Sequence, residues 1–208
     1  MLLMAGAYLL CAARLAGLRY WDPWWTGVQV QRRIEALWEG KEMRMRSEPV
    51  PLGKISAQLQ RAVIAAEDGR FYEHYGIDWV ELRDSWEARW DSPRGASTIT
   101  QQLVKNLFFT TGRSYVRKAL ELVLAPTAEL FLPKKRILEL YLNVVEWDRG
   151  VFGAQAAARH HYKVPAASLT RNQAARLAAC LPAPLRRKPR NMNRYAAIIE
   201  RRMAMMGW

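Results

Sequence analysis

Residues 67–76 read EDGRFYEHYG and residues 95–106 read GASTITQQLVKN. The first string holds Glu67, Asp68, Phe71 and His74; the second holds Ser97, Thr98, Thr100, Gln101, Gln102, Lys105 and Asn106. A core segment does not gather hydrogen-bonding groups this way, because each buried polar group needs a partner. The two strings mark a place where something polar binds. Both adjoin helical text. Before the first, Ser56 to Ala66 repeats apolar Leu59, Val63, Ile64 and Ala66 at three- and four-residue spacing, and Glu67 closes the run. In the second, after a loop over residues 91–95, Ser97 or Thr98 is placed to cap a helix running to Phe109.

The same periodicity extends outward. Val28 to Trp38 predicts an amphipathic helix with Val30, Ile34, Leu37 and Trp38 on its apolar side and Gly40 at its end. Residues 41–53, with Pro49 and Pro51, read as an extended linker or strand. Val80 to Trp90 predicts a helix, and Ser114 to Phe131 another that Pro126 should kink. Lys134 to Val145, Gly153 to His161, Arg171 to Leu181 and Arg194 to Met206 complete a chain that is mainly α. No convincing strand pattern or repeat appears, and no Gly-rich phosphate loop supports a nucleotide fold.

Composition narrows the partners. The 208 residues suffice for one domain with a real core, or one domain plus an anchor. Lys and Arg number 32 against 19 Asp and Glu, a formal charge of +13, so the surface favours an anionic partner or is simply a basic solvated face. Cys11 and Cys180 have no metal-ligand spacing and predict no disulfide. Residues 1–13 carry no side-chain charge, and Arg14 and Arg19 follow. Residues 1–18 read as a short membrane anchor with Arg14 snorkelling to an interface. A signal-peptide core, or a buried or interfacial helix, are the other readings. Trp24 and Trp25 suit a membrane interface, or plain packing. Residues 19–49 then form a linker and amphipathic helix, and residues 50–208 the main domain.

Two groups carry chemistry. Glu67 follows VIAA, so its carboxylate stands beside apolar surface, where desolvation raises the pKa and suits proton exchange near neutrality. An exposed helix-end glutamate is the alternative. Asp68 caps or orients, and Phe71 and His74 read as structural. Arg117, Lys118 and Glu121 share one helix face, as a surface ion pair or as a carboxylate kept charged by two cations. Lys105, Arg113, Arg117 and Lys118 would form a cationic cup if their helices face each other, suited to phosphate oxygens.

Taken in order, Glu67-Asp68…Phe71…His74…Gly76, Gly95-x-Ser97-Thr98-x-Thr100-Gln101-Gln102, Arg117-Lys118-x-x-Glu121 and Lys135-x-Ile137-Leu138-Glu139-x-Tyr141-Leu142-Asn143 resemble the four motifs of the peptidoglycan glycosyltransferases. This is the lysozyme-like family shared with bifunctional penicillin-binding proteins, and the text is most similar to its monofunctional biosynthetic transglycosylases. The resemblance covers roughly residues 50–190. It implies a lysozyme-like helical domain with a short N-terminal membrane segment, held as a single-pass protein of the inner membrane with its catalytic domain on the periplasmic side. It implies that Glu67 is the general base, that Glu121 positions the acceptor or the cations, that Lys105, Arg113, Arg117 and Lys118 hold donor phosphates, and that Ser97, Gln102 and Asn106 hydrogen-bond the donor. The implied substrates are lipid II and the nascent glycan strand. The implied partners are the cytoplasmic membrane and other cell-wall synthesis proteins, with no nucleic acid. No cofactor is required, and a divalent cation stays open because the sequence shows no carboxylate cage for it.

Two departures stand out. His160-His161 occupy positions where the family usually has aromatics, and Lys163 is shifted one place before Pro165. Neighbouring residues on a helix point about 100° apart, so the histidine pair predicts no metal site. The basic residues after the apolar N-terminus also oppose the implied periplasmic location under the positive-inside rule. An upstream start would supply the missing cytoplasmic basic segment. A lysozyme-like hydrolase is the alternative enzyme; it has no diphosphate to bind and needs no cationic cup. A basic module that binds nucleic acid or anionic lipid is the non-enzymatic alternative.

Overall fold

Side-chain caps start most of the helices that carry the two strings. The computed structural model describes residues 2–87, 97–112 and 114–208. Its helices are α1 (Leu2–Gly17), α2 (Gly27–Trp38), α3 (Ala57–Glu67), α4 (Trp79–Glu87), α5 (Ile99–Phe108), α6 (Tyr115–Phe131), α7 (Lys134–Val144), α8 (Ala154–Tyr162), α9 (Arg171–Ala178) and α10 (Asn193–Met205). Thr98 caps α5 in a reciprocal box with Gln101, so the hydroxyl expected from the sequence is the threonine's; Ser56 and Ser114 cap α3 and α6. α5 lies between α6 and α7, while α3 packs on α9 and α10. Leu59 and Val63 of α3, Leu103 and Leu107 of α5, Ile137 and Tyr141 of α7 and Trp147 are fully buried in one core.

Gly76 shows why the first string ends on glycine. Its φ is +77°, and a Cβ there would stand 2.6 Å from the nitrogen of Pro126. A side chain would therefore be both strained and clashing. The approach falls where α6 carries a proline, which has no N–H, and α6 continues through Pro126 to Phe131. Thr98 Oγ1 donates to the Gly76 carbonyl at 2.7 Å, which ties the end of the first string to the start of the second.

Two expectations are corrected. α2 buries Val28, Arg32 and Ala36, not the Val30–Ile34–Leu37–Trp38 face, and Trp38 is 88% exposed. The inward seam is set by a charge pair: Arg32 Nε reaches Glu146 Oε2 at 2.9 Å with both side chains buried. A buried ion pair that loses one partner is costly, so it overrides apolar periodicity. A small sheet is also present. Arg46–Ser47 (β1) runs parallel to Val151–Phe152 (β3), and Glu146–Asp148 (β2) runs antiparallel to β3. Strands of two or three residues are too short to show alternation. With α2 on α5 and β1 in this sheet, residues 19–49 contribute to the body of the fold.

The N-terminus is a helix docked on the body of the fold. α1 has 16 residues, about 24 Å of helix against a hydrocarbon layer of about 30 Å. No helix among the described residues is long and apolar enough to cross a membrane. α1 lies along α6, with Leu15 and Leu18 in the core and Tyr8 Oη 3.1 Å from Thr127 Oγ1. Arg14 turns to Trp25. It donates to the Trp25 carbonyl at 2.6 Å and stacks 4.0 Å over the Trp25 ring.

Candidate active site

Glu67 is the last residue of α3, behind the buried run Ala62–Val63–Ile64–Ala65. Burial pushes its carboxyl above the ordinary range, against the pull of the Gln102 hydrogen bond and the charges of Lys105 and Arg187. Gln102 Nε2 donates to Glu67 Oε2 at 2.7 Å. Asp68, next along the chain, is buried and fully engaged. Its Oδ2 accepts the Ile99 amide at 2.9 Å at the start of α5, and its Oδ1 accepts His74 Nε2 at 2.9 Å. A carboxylate at a helix N-terminus is favoured by the helix dipole. Asp68 thereby ties the end of α3 to the start of α5. His74 bonds Asp68, and Phe71 is fully buried with Lys134 4.6 Å over its ring.

The cationic group assembles from α5 and α6. On α6, Arg117 Nη1 lies 3.0 Å from Glu121 Oε1 and Lys118 Nζ lies 3.4 Å from Oε2, with Glu121 buried. The Arg117 contact is close but misaligned, so Glu121 Oε1 and Arg117 Nε are buried atoms without a hydrogen bond. Lys118 crosses to α5, donating to Ser97 Oγ at 2.8 Å and Gln101 Oε1 at 3.3 Å. Lys105 lies within electrostatic reach of both carboxylates. Burial and the charges of Arg117 and Lys118 push its ammonium below the ordinary lysine value, while Glu121 and Glu67 pull it back. Arg113, expected in the same group, lies outside the described residues.

A cleft of about 830 Å³ opens beside Glu67, lined by Asp68, Ser97, Arg187, Tyr195 and Arg202 among others. A half-buried carboxylate of raised pKa, with a partly desolvated lysine near it and an arginine-lysine pair beyond, can take a proton while the cations neutralise departing negative charge. A sequence profile described as Transglycosylase matches residues 31–207. The chain belongs to the transglycosylase family. A Bordetella pertussis protein named biosynthetic peptidoglycan transglycosylase is 46% identical over 198 residues, spanning 90% of this chain and 82% of the relative. One of the same name from Pseudomonas entomophila is 43% identical over 196 residues, spanning 91% and 83%.

In this transglycosylase the expected residues fall into two classes. Arg117, Lys118 and Glu121 come together on α6, and Lys105 feels their charges and that of Glu67. Three others are occupied by the protein itself. The Ser97 hydroxyl accepts from Lys118, Asn106 Nδ2 donates to the Gln102 carbonyl at 2.8 Å, and Gln102 spends its amide on Glu67 and Tyr141. Two residues were given no role in the site from the sequence, although one of them, Tyr141, falls in the fourth motif. Tyr141 looked like an apolar helix position, because a tyrosine at core spacing gives no sign of where its hydroxyl points. Arg187 was hidden in the basic run 186–188 after the prolines.

The structure also corrects the geometry expected for the histidine pair. His160 Nε2 and His161 Nε2 lie 3.5 and 3.8 Å from Asp148 Oδ2, beside a second cavity of about 580 Å³. Their ligand atoms and that of Asp148 lie within 4.8 Å of one another. Lys188 bonds the same carboxylate, and Arg46 Nη1 stands 3.2 Å from His160 Nδ1, so protein cations already occupy the group. Burial, with His160 alongside, lowers the His161 pKa to about 4.

Proposed function

We propose that this chain polymerises the glycan strands of peptidoglycan from lipid II. The observation that carries the reading is the juxtaposition of Glu67, its pKa raised by burial, with the Lys105–Arg117–Lys118–Glu121 group. In the proposed step, Glu67 removes the proton from the 4-hydroxyl of the acceptor sugar. That oxygen bonds to C1 of the terminal sugar of the growing strand. The C1–O bond to undecaprenyl diphosphate breaks on the opposite face, so the α-linked donor becomes a β-1,4 linkage. Lys105, Arg117 and Lys118 neutralise the departing diphosphate, with Arg113 as a further contributor, and the chemistry is electrostatic stabilisation by fixed cations. Glu121 keeps the two α6 cations in place. Ser97 contributes through Lys118, and Asn106 through the shape of α5. A divalent ion is not needed for any of these roles.

The domain is proposed to work at the outer face of the cytoplasmic membrane. Exposed Leu9 and Leu10 of α1, and Tyr20, Trp21, Trp24 and Trp25 after it, support contact with the lipid interface. The working unit extends from α1 to α10, with the catalytic part from residue 50 onward built against α1 and α2. Lysozyme-like architecture and other cell-wall synthesis proteins as partners belong to the same reading.

The test is polymerisation of lipid II by the purified protein, with Glu67→Gln alongside. Loss of polymer in that variant is the expected result; continued synthesis would sink the base assignment. A wild type that makes no polymer but solubilises cell walls would favour the hydrolase.

A further inference from the structure

Gln102 is engaged by two side chains of the protein, and they decide its role. It stands on α5 between two other helices. Its Nε2 donates to Glu67 Oε2 at 2.7 Å at the end of α3, and its Oε1 accepts the Tyr141 hydroxyl of α7 at 2.9 Å. Register places it there. The Asp68–Ile99 bond fixes the first turn of α5 against the residue after Glu67, and Gln102 follows one turn later on the same face. Asn106 then bonds the Gln102 carbonyl and steadies that turn.

We infer that Tyr141 and Gln102 are positioning residues for the Glu67 carboxylate: the tyrosine hydroxyl orients the glutamine amide, and the amide holds Oε2 so that Oε1 is the oxygen left for the substrate proton. A glutamine amide can rotate by half a turn, which would set its carbonyl against the carboxylate. Tyr141 prevents this. The ring is fully buried, and burial together with the charges of Glu67 and Asp68 raises its pKa well above the ordinary tyrosine value, so it is a permanent donor that needs an acceptor. The Gln102 carbonyl is that acceptor, which leaves the amide N–H for Glu67. Lys105 from α5, Arg187 from the segment after α9 and Asp68 from the end of α3 also face the carboxylate. The first two favour its charged form and the third opposes it. The Gln102 donor adds to the charged side, and removing it raises the pKa of the base further.

This inference rests on Glu67 being the base, and the experiment separates the two. Polymerisation rate is measured against pH for wild type, Gln102→Ala, Tyr141→Phe, the double variant and Glu67→Gln, with thermal melts to establish folding. Tyr141→Phe keeps the buried ring and so the fold. Gln102→Ala is expected to move the acidic limb of the rate profile upward by roughly one to two pH units, lowering kcat near neutrality with little change in KM. Tyr141→Phe should shift the limb the same way by less, and the double variant should match Gln102→Ala, because the tyrosine acts through the glutamine. An unmoved limb with a raised KM in Gln102→Ala would overturn the inference and return Gln102 to donor binding. A Tyr141→Phe shift that persists in full without Gln102 would overturn the relay. If Glu67→Gln still polymerises, the base assignment falls and the relay with it. If that variant is dead while both limbs stay in place, only the relay falls.

Discussion

Glu67 and Glu121 are two glutamates whose charges both act on Lys105, and their surroundings differ. Glu67 ends α3 against apolar residues and receives one neutral donor, the Gln102 amide. Glu121 sits mid-helix on α6 between Arg117 and Lys118. The first is desolvated without being neutralised, so burial raises its pKa. The second is held within an ion-pair network, and that network fixes the cations more than it frees the carboxylate. On the proposed function, the same side chain exchanges protons in one place and holds positive charge in the other.

Substitution separates these roles. Glu67→Gln should have the largest effect, a loss of lipid II polymerisation of about 10²–10⁴-fold with substrate binding largely kept. Glu121→Gln should slow polymerisation by less, about 10-fold to 10²-fold, by loosening Arg117 and Lys118, and should raise KM more than Glu67→Gln does. A larger loss from Glu121→Gln than from Glu67→Gln would reverse the assignment.

Stability should move in opposite directions. Because the folded-state pKa of Glu67 is raised, its contribution is fully present below the ordinary value of 4.5 and is lost as pH rises through the folded value. Glu67→Gln should therefore melt higher than wild type at pH 7–8, with the gap closing near pH 4. Glu121→Gln should melt lower at neutral pH, by about 1–3 kcal/mol, since Arg117 and Lys118 lose their buried partner. Circular-dichroism melts across this pH range check both signs. The smallest effect should come from salt: raising ionic strength should raise KM through screening of Lys105, Arg117 and Lys118, while the acidic limb set by Glu67 shifts little. Equal salt sensitivity of both would blur the distinction.

Much of this was legible before folding. The α3, α5 and α6 boundaries follow from Ser56, Thr98 and Ser114 caps before apolar periods, and the Arg117–Lys118–Glu121 face follows from helical spacing alone. The face of α2 was not, because its seam is chosen by Glu146, far along the chain. Nor were the short strands, the docking of α1 on α6, or the partners of Ser97, Gln102 and Asn106.

The sequence by itself determined the helices, the inventory of polar groups and the family to which they belong, since caps, periods and motif spacing are local properties of the chain. Tertiary structure decided which of those groups remain available for chemistry. A hydroxyl, an amide or an arginine takes its role from what it faces, and that depends on helix register. The Asp68–Ile99 bond sets that register, bringing Gln102 to Glu67 and Tyr141 to Gln102.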